Sequence, residues 1–196
     1  MSNHTPLLVF SGSTRADSLN RKLAQATADL ASAAGAQVTL LDLSDFDLPI
    51  YHGDLEARGT PADVIRLKEV LFAHPAWIIS TPEYNGSYPA LLKNTIDWAS
   101  RPIDGSAEWA AGAKPFAGKV VGLLAASPGG LGGIRSLSHL TPLLQQLQCW
   151  ITPRQFALSK AGEAFDAEGR LAAEATRAGV QGVIDQVLWA TRKFQG

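Results

Sequence analysis

Short runs of consecutive apolar residues alternate with longer segments of helical periodicity, and this alternation constrains the fold more than any other feature of the sequence. Strands buried on both faces give such continuous runs, because neither face meets water. In the longer segments, apolar residues recur three and four positions apart, as on one face of a helix. Predicted strands cover residues 6–11, 38–41, 76–80, 119–125 and 150–156, and predicted helices cover 19–34, 62–73, 89–100, 134–147 and 170–193.

Strands that alternate with helices predict an α/β fold: a three-layer sandwich with a five-stranded parallel sheet and right-handed connections. Five strands fit the order 2-1-3-4-5, in which ligands bind beyond the carboxyl ends of strands one, three and four. We expect irregular chain over 45–59 and 101–118, and an interruption of the last helix near Gly179 and Gly182. The chemistry is therefore expected at those three strand ends.

The composition fits one domain over residues 1–196 and excludes several classes of protein. Of the 196 residues, 46% are hydrophobic and 18% are charged, which is enough for a sizeable core. A formal net charge of −1 gives no broad attraction to nucleic acid, and no apolar run is long enough to span a membrane. The lone Cys149 excludes an internal disulfide, and four scattered histidines give no metal-ligand pattern. We expect a buried Cys149, no metal and a cytoplasmic location.

The loop after the first strand has the composition of a site for a phosphate-sized anion. Gly12 permits a sharp turn, Ser13 and Ser18 supply hydroxyl groups, Arg15 supplies a positive charge and Asn20 an amide. The following helix directs free N–H groups and its dipole to the same place. The alternative is an ordinary strand-to-helix turn, with Asp17 or Ser18 as N-cap and a solvated arginine. The glycine patterns of a P-loop and of a Rossmann dinucleotide site are both missing.

The loop after the third strand, residues 81–89, combines two prolines, two tyrosines, a glutamate and an asparagine. A planar heterocycle needs directional donors at one edge and apolar walls against its faces. Asn85 and the backbone N–H groups from Glu83 to Gly86 provide the donors, and Tyr84 and Tyr88 provide flat surface. The alternative is a structural turn before a helix. We also expect an ion pair between Lys93 and Asp97, four positions apart on that helix.

The loop after the fourth strand, residues 126–133, contains four glycines. Glycines let a ligand approach the backbone closely, although a flexible turn explains this loop equally well when it is considered alone. Its position at the same sheet edge as the other two loops favours a functional interpretation.

Together the three loops resemble the NAD(P)H-dependent FMN reductase family, which includes quinone, chromate and azo-dye reductases. The resemblance is carried by GSTRADSLN at 12–20, TPEYNGSYPALLKNTIDW at 81–98 and SPGGLGG at 127–133, and it extends over most of the chain. It implies a flavodoxin-like fold, and the loop at 48–51 is similar to the family's connection after strand two. Pro128 departs from the family pattern, and we expect it to narrow the space beside the flavin.

The resemblance implies particular contacts with FMN. The phosphate is expected on Ser13, Arg15, Ser18 and Asn20. The isoalloxazine ring is expected against Pro82, Glu83, Tyr84, Asn85 and Gly86, with Ser127 and Gly129 nearby. In this interpretation Arg15 neutralises the phosphate, Tyr84 shapes the ring pocket, and the backbone from Glu83 to Gly86 tunes the ring edge. No acid–base or nucleophilic residue is assigned, because the flavin carries the chemistry.

The resemblance also implies a function. The expected reaction is a two-step shuttle, in which NADPH or NADH reduces bound FMN and a small acceptor then takes the electrons. Quinones, chromate, azo compounds and free flavin are all candidate acceptors, and a homodimer or homotetramer is expected. Two alternatives remain at this point: an FMN electron carrier of the flavodoxin type without NAD(P)H turnover, and a redox-responsive scaffold using the 101–118 segment.

Overall fold

The computed structural model describes residues 5–195, and its centre is a parallel β-sheet. The strands are β1 Pro6–Ser11, β2 Gln37–Leu41, β3 Ala76–Thr81, β4 Val120–Ala126, β5 Trp150–Ile151 and β6 Phe156–Leu158. Their order in the sheet is β2-β1-β3-β4-β5, with β6 paired to β4 beyond the end of β5. Every pairing between these strands is parallel. The predicted fold class and strand order are therefore confirmed.

Helices cover both faces of the sheet, because alternate residues of each strand point to opposite sides. The helices are α1 Leu19–Ala33, α2 Gly53–Glu56, α3 Ala62–Ala73, α4 Ala90–Ala99, α5 Ile134–Gln146 and α6 Glu174–Gln195, with short 3₁₀ turns at Leu43–Asp45 and Ala161–Glu163. Leu7 and Val9 of β1 pack in a core with α1 and α6, while Leu8 and Phe10 pack in a second core with α3, α4 and α5.

The fifth strand is not continuous, contrary to the prediction of one strand over 150–156. β5 pairs with the start of β4 and β6 with its end. Thr152 still donates its N–H to the carbonyl of Val121 at 2.9 Å, and residues 153–155 then leave the ladder. Pro153 has no N–H to donate. The N–H of Arg154 donates instead to Oε1 of Gln186 on α6, at 2.7 Å. The strand is therefore divided because Pro153 has no N–H and because the N–H of Arg154 bonds to a helix instead of to β4.

The last helix also differs from its prediction. It begins at Glu174 rather than at 170, because Asp166 and Arg170 close a tight turn ahead of it. It is not interrupted at Gly179 or Gly182. A Cβ atom at Gly179 would collide with the ring of Phe156, and one at Gly182 with the guanidinium of Arg154. These glycines allow the divided fifth strand to pack closely against α6.

The two segments expected to be irregular carry some structure of their own. The first contains the short helix α2. The second, residues 101–118, is a series of turns that buries Trp109 and Phe116. Cys149 is buried as expected. No helix within residues 5–195 is both long and apolar enough to cross a bilayer.

Candidate functional site

A cleft opens where the carboxyl ends of β1, β3 and β4 meet. Residues from all three predicted loops line it, so the topology brings together segments that are far apart in the chain. The predicted contacts that line the cleft are Ser13, Arg15, Ser18, Asn20, Pro82, Glu83, Tyr84 and Ser127. Pro128 lines it too, whereas Asn85, Gly86 and Gly129 do not.

The first loop offers an unneutralised positive charge and several free donors. Arg15 is exposed, and its guanidinium makes no hydrogen bond or ion pair with any residue in the 5–195 range. Ser18 is the N-cap of α1, and its Oγ accepts from the N–H of Arg21 at 3.4 Å. Backbone N–H groups that bond to no other described residue are those of Thr14, Arg15, Ala16, Asp17, Leu19 and Asn20. A capped helix start and an anion cradle are therefore present in the same loop.

Asn20 has a bridging role that sequence reasoning did not find. Its Nδ2 donates to the carbonyl oxygen of Ala126 at 2.9 Å, and its Oδ1 accepts from the N–H of Ala126 at 2.9 Å. The same Oδ1 accepts from Oγ of Ser80 at 3.0 Å. The buried carboxamide thus links α1 to the ends of β3 and β4 and forms the floor of the cleft. Contact of Asn20 with a phosphate stays a prediction.

A tight turn in the second loop explains Asn85 and Gly86. Tyr84 and Ser87 exchange two backbone hydrogen bonds of 2.9 and 3.1 Å across these residues. Both central residues have positive φ angles, 52° for Asn85 and 81° for Gly86, as a type I′ turn requires. The N–H groups of Glu83, Asn85 and Gly86 bond to no residue within 5–195. The turn therefore leaves three backbone donors available at the rim of the cleft.

Glu83 joins the second loop to the third. Its carboxylate accepts from the backbone N–H of Arg135 at 3.1 Å and from Nε of Arg135 at 2.6 Å. Gly133, the N-cap of α5, has no side chain to cap the helix, so Glu83 supplies that acceptor from another loop. Burial raises the pKa of Glu83, but the hydrogen bonds and positive charge of Arg135 outweigh it and leave the pKa lowered. Because Glu83 and Arg135 are 52 positions apart, no local sequence pattern predicts that they form a pair.

The glycines of the third loop serve two different purposes. Gly132 and Gly133 have positive φ angles of 64° and 88°, and a Cβ atom at either would lie under 3.0 Å from protein atoms of β4 or β6. These two are required by the fold itself. Gly129 donates to Oγ of Ser127 at 3.2 Å, and a Cβ atom at Gly130 would meet open space. A ligand can thus approach the backbone closely only in the first half of the loop, at Gly129 and Gly130.

The fold and the three loops place this chain in a known family. Residues 5–163 match the family described as NADPH-dependent FMN reductase. The chain belongs to that family. It is 36% identical to an NAD(P)H-dependent FMN reductase of Pseudomonas aeruginosa over the full length of both chains. It is 33% identical to a quinone reductase of Pseudomonas putida, over 95% of this chain and 94% of that one.

A solved structure agrees with this membership of the FMN reductase family. The flavoenzyme NAD(P)H:(acceptor) oxidoreductase of Paracoccus denitrificans superposes with a TM-score of 0.82 and 32% identity, covering 96% of this chain and 98% of that chain. The chain is therefore an oxidoreductase that uses FMN as cofactor and NAD(P)H as electron donor. The electron-carrier alternative is not favoured.

The residues that line the cleft suit the FMN of this reductase family in charge and in polarity. FMN carries an anionic phosphate at one end and a planar ring system at the other. At one end of the cleft, Arg15 and the free N–H groups around it match the phosphate. At the other end, Pro82, Tyr84 and Pro128 offer apolar surface, with the free donors of the second loop beside it. Among residues 5–195, no group of three or more metal-ligand side chains is placed to bind an ion.

The loop after β2 is fixed to α4 and does not line the cleft of this FMN reductase. The N–H of Tyr51 donates to Oδ1 of Asn94 at 2.9 Å, and Nε1 of Trp98 donates to the carbonyl of Pro49 at 2.7 Å. On the same helix, Lys93 and Asp97 form the predicted ion pair at 2.6 Å. The polar residues of α4 therefore hold a neighbouring loop in place.

Proposed function

We propose that this FMN reductase passes electrons from NADPH or NADH to small quinones, with FMN held in the cleft at the ends of β1, β3 and β4. The observation that carries the proposal is the convergence of three loops, one with an unneutralised arginine, on a single cleft. Quinone reductases among the relatives support the choice of acceptor. Chromate, azo compounds and free flavin are competing acceptors for the same test.

The protein's own residues bind and orient in this proposal. Arg15 and the N–H groups of the first loop bind the phosphate, together with Ser13 and Ser18. Pro82, Tyr84 and Pro128 position the ring, and the N–H groups of Glu83, Asn85 and Gly86 bind its polar edge, with Ser127 and Gly129 close by. When bound, FMN supplies the reversible electron transfer. Pro128 narrows the cleft on the side of the third loop, which favours thin, planar acceptors.

The proposal is tested on the purified full chain. We expect a yellow protein whose visible absorption falls on addition of NADPH without oxygen and returns on addition of benzoquinone. Steady NADPH consumption should follow the quinone concentration. Bound FMN that neither NADPH nor NADH reduces would support the electron carrier instead. A colourless protein that does not bind added FMN would reject the site itself.

We further propose that two copies of the chain, or four, assemble around the cleft in a reducing, cytoplasmic compartment. Tyr84, Leu131 and Ile134 belong to the loops at the sheet edge or follow them directly, and their exposed fractions are 55%, 59% and 51%. Apolar side chains clustered beside a binding site are typical of an interface. Light scattering should give a mass of two or four chains, and Leu131→Asp should lower it. A monomeric wild-type protein would reject this assembly.

A further inference from the structure

The proposed phosphate loop is held from behind by a side chain that does not line the FMN cleft. Arg21 lies in the first turn of α1, and its Nη1 donates to the carbonyl oxygen of Thr14 at 3.1 Å. Its Nη2 donates to Oδ2 of Asp42 at 2.5 Å. Asp42 directly follows β2. One guanidinium therefore connects the first loop to the end of a neighbouring strand.

Asp42 is itself fixed in place. Its Oδ1 accepts from the N–H of Ser44 at 2.9 Å and from Oγ of Ser44 at 2.7 Å, which caps the turn at 43–45. A continuous series of hydrogen bonds thus runs from Ser44 through Asp42 and Arg21 to Thr14. The carboxylate also compensates the charge of Arg21, so the free positive charge of this region stays on Arg15.

The bond from Arg21 determines which way one peptide group faces. In a trans peptide, the carbonyl of Thr14 and the N–H of Arg15 point in opposite directions. Because Arg21 holds the carbonyl on its own side, it directs the N–H of Arg15 to the other side. Behind the loop lies a second cleft, lined by Ser11, Ser13, Arg21 and Asp42 among others. The carbonyl oxygen of Thr14 accepts no other hydrogen bond from residues 5–195, so the bond from Arg21 is the one that orients this peptide.

We propose that Arg21, fixed by Asp42, is a positioning residue that presets the Thr14–Arg15 peptide to receive the phosphate of FMN. The effect is specific for ligands that carry this phosphate, because the peptide lies in the phosphate loop and not at the ring. This inference rests on the proposed function, since it requires FMN in the cleft.

The test compares FMN with riboflavin, which has the same ring and no phosphate. The full chain, freed of flavin, is titrated with each compound by flavin fluorescence. For Arg21→Met we expect the dissociation constant of FMN to rise about tenfold, which corresponds to one charge-assisted hydrogen bond, and that of riboflavin to stay unchanged. Arg21→Gln replaces this variant if Arg21→Met does not fold.

Asp42→Ala separates positioning from simple charge. If only charge mattered, removal of the Asp42 carboxylate would remove an electrostatic repulsion on the phosphate and strengthen its binding. Loss of positioning does the opposite, so we expect FMN to bind several-fold more weakly. Arg177→Met is the matched control, because that guanidinium also donates to backbone carbonyls, those of Leu171 and Ala172, outside the FMN cleft. It should leave both dissociation constants unchanged.

The outcomes distinguish this inference from the proposed function. An Asp42→Ala variant that binds FMN as tightly as the wild type, or more tightly, overturns the positioning role. Equal weakening of FMN and riboflavin overturns it as well, because it shows a general loss of structure. A wild-type protein that binds neither compound rejects the proposed function, whereas wild-type binding of FMN with unaffected variants rejects only the role of Arg21.

Discussion

At the scale of single residues, the site is defined by which charges are compensated. Arg21 is paired with Asp42, and Arg135 with Glu83. Arg15 has no such partner within residues 5–195, although it lines the cleft. An arginine left without a carboxylate partner at a helix N-terminus is available to an anionic ligand. The charge balance thus supports the proposal that Arg15 binds the phosphate.

Arg15→Ala should weaken FMN binding by about ten- to a hundredfold, since a charge-assisted hydrogen bond contributes about 1.5–3 kcal/mol. Riboflavin binding should not change, because it has no phosphate. Arg192→Ala, which removes an exposed arginine in the last turn of α6, is the control. Titration of the flavin-free chain measures both constants. Full FMN affinity in Arg15→Ala would contradict the assignment.

Asn20→Ala should lower the free energy of unfolding by about 2–3 kcal/mol, because it leaves polar groups of Ala126 and Ser80 unsatisfied in the interior. Urea unfolding of the flavin-free chain measures the loss. Gln25→Ala, which removes an exposed amide from the same helix, should change stability by less than about 0.5 kcal/mol. A stable Asn20→Ala protein that has lost only FMN affinity would show a pure ligand role instead.

The position of Asn20 could be predicted from sequence, but its bonds could not. Asn20 belongs to the first turn of the predicted helix that follows the first strand. A residue at that point of the chain must lie at the carboxyl edge of the sheet, so Asn20 could be expected beside the cleft. Its partner Ala126 is 106 positions away, at the end of a different strand. Such contacts depend on how far each strand extends at the carboxyl edge of the sheet relative to the other strand. Residue spacing along the chain carries no information about this offset.

At the scale of secondary structure elements, the local sequence pattern predicted an element correctly where burial of its own side chains determines its structure. Continuous apolar runs predicted β1, β3 and β4, because burial on both faces leaves no other pattern. The pattern failed at residues 150–156, where Arg154 bonds to Gln186 on α6 rather than to β4. It also failed at Gly179 and Gly182, which resemble helix breakers until the packing of Phe156 and Arg154 is known. Tertiary contacts overruled propensity at both places.

Glu83→Ala should destabilise the start of α5 and lower the free energy of unfolding by about 1 kcal/mol at neutral pH, as loss of a helix cap does. Because the pKa of Glu83 is lowered in the folded protein, its stabilisation is complete above the usual value of 4.5 and is lost as the pH falls below it. The difference between variant and wild type should therefore shrink toward pH 3. Urea unfolding at several pH values tests this, with exposed Glu69→Ala as control.

At the scale of the whole molecule, the irregular 101–118 segment is anchored by a buried lysine. Lys68 of α3 is fully buried, and its Nζ donates to the carbonyl oxygens of Ala99 and Arg101 at 2.8 and 2.7 Å. It also lies 5.2 Å from the ring centroid of Trp109, inside the segment. One side chain therefore joins α3, the end of α4 and the segment. This contact gives the segment a structural role.

Burial lowers the pKa of Lys68 and of Lys119 to about 8, from the usual 10.5. Between these values the unfolded chain holds protons that the folded protein has released, so a rise in pH favours the folded state. Cys149 opposes this trend weakly between pH 8 and 9 and strongly above pH 9, since burial raises its pKa from 9.0 to about 12. The free energy of unfolding should therefore increase from pH 8 to pH 9, by up to about 1 kcal/mol for each lysine.

Lys68→Met should remove about half of that increase, because Lys119 then titrates alone. Lys22→Met, at an exposed position on α1, should keep the full pH dependence. Urea unfolding in half-unit steps from pH 7 to 9 gives the slope. Equal slopes in wild type and Lys68→Met would show that the ammonium stays charged throughout, held by the two carbonyls at the end of α4.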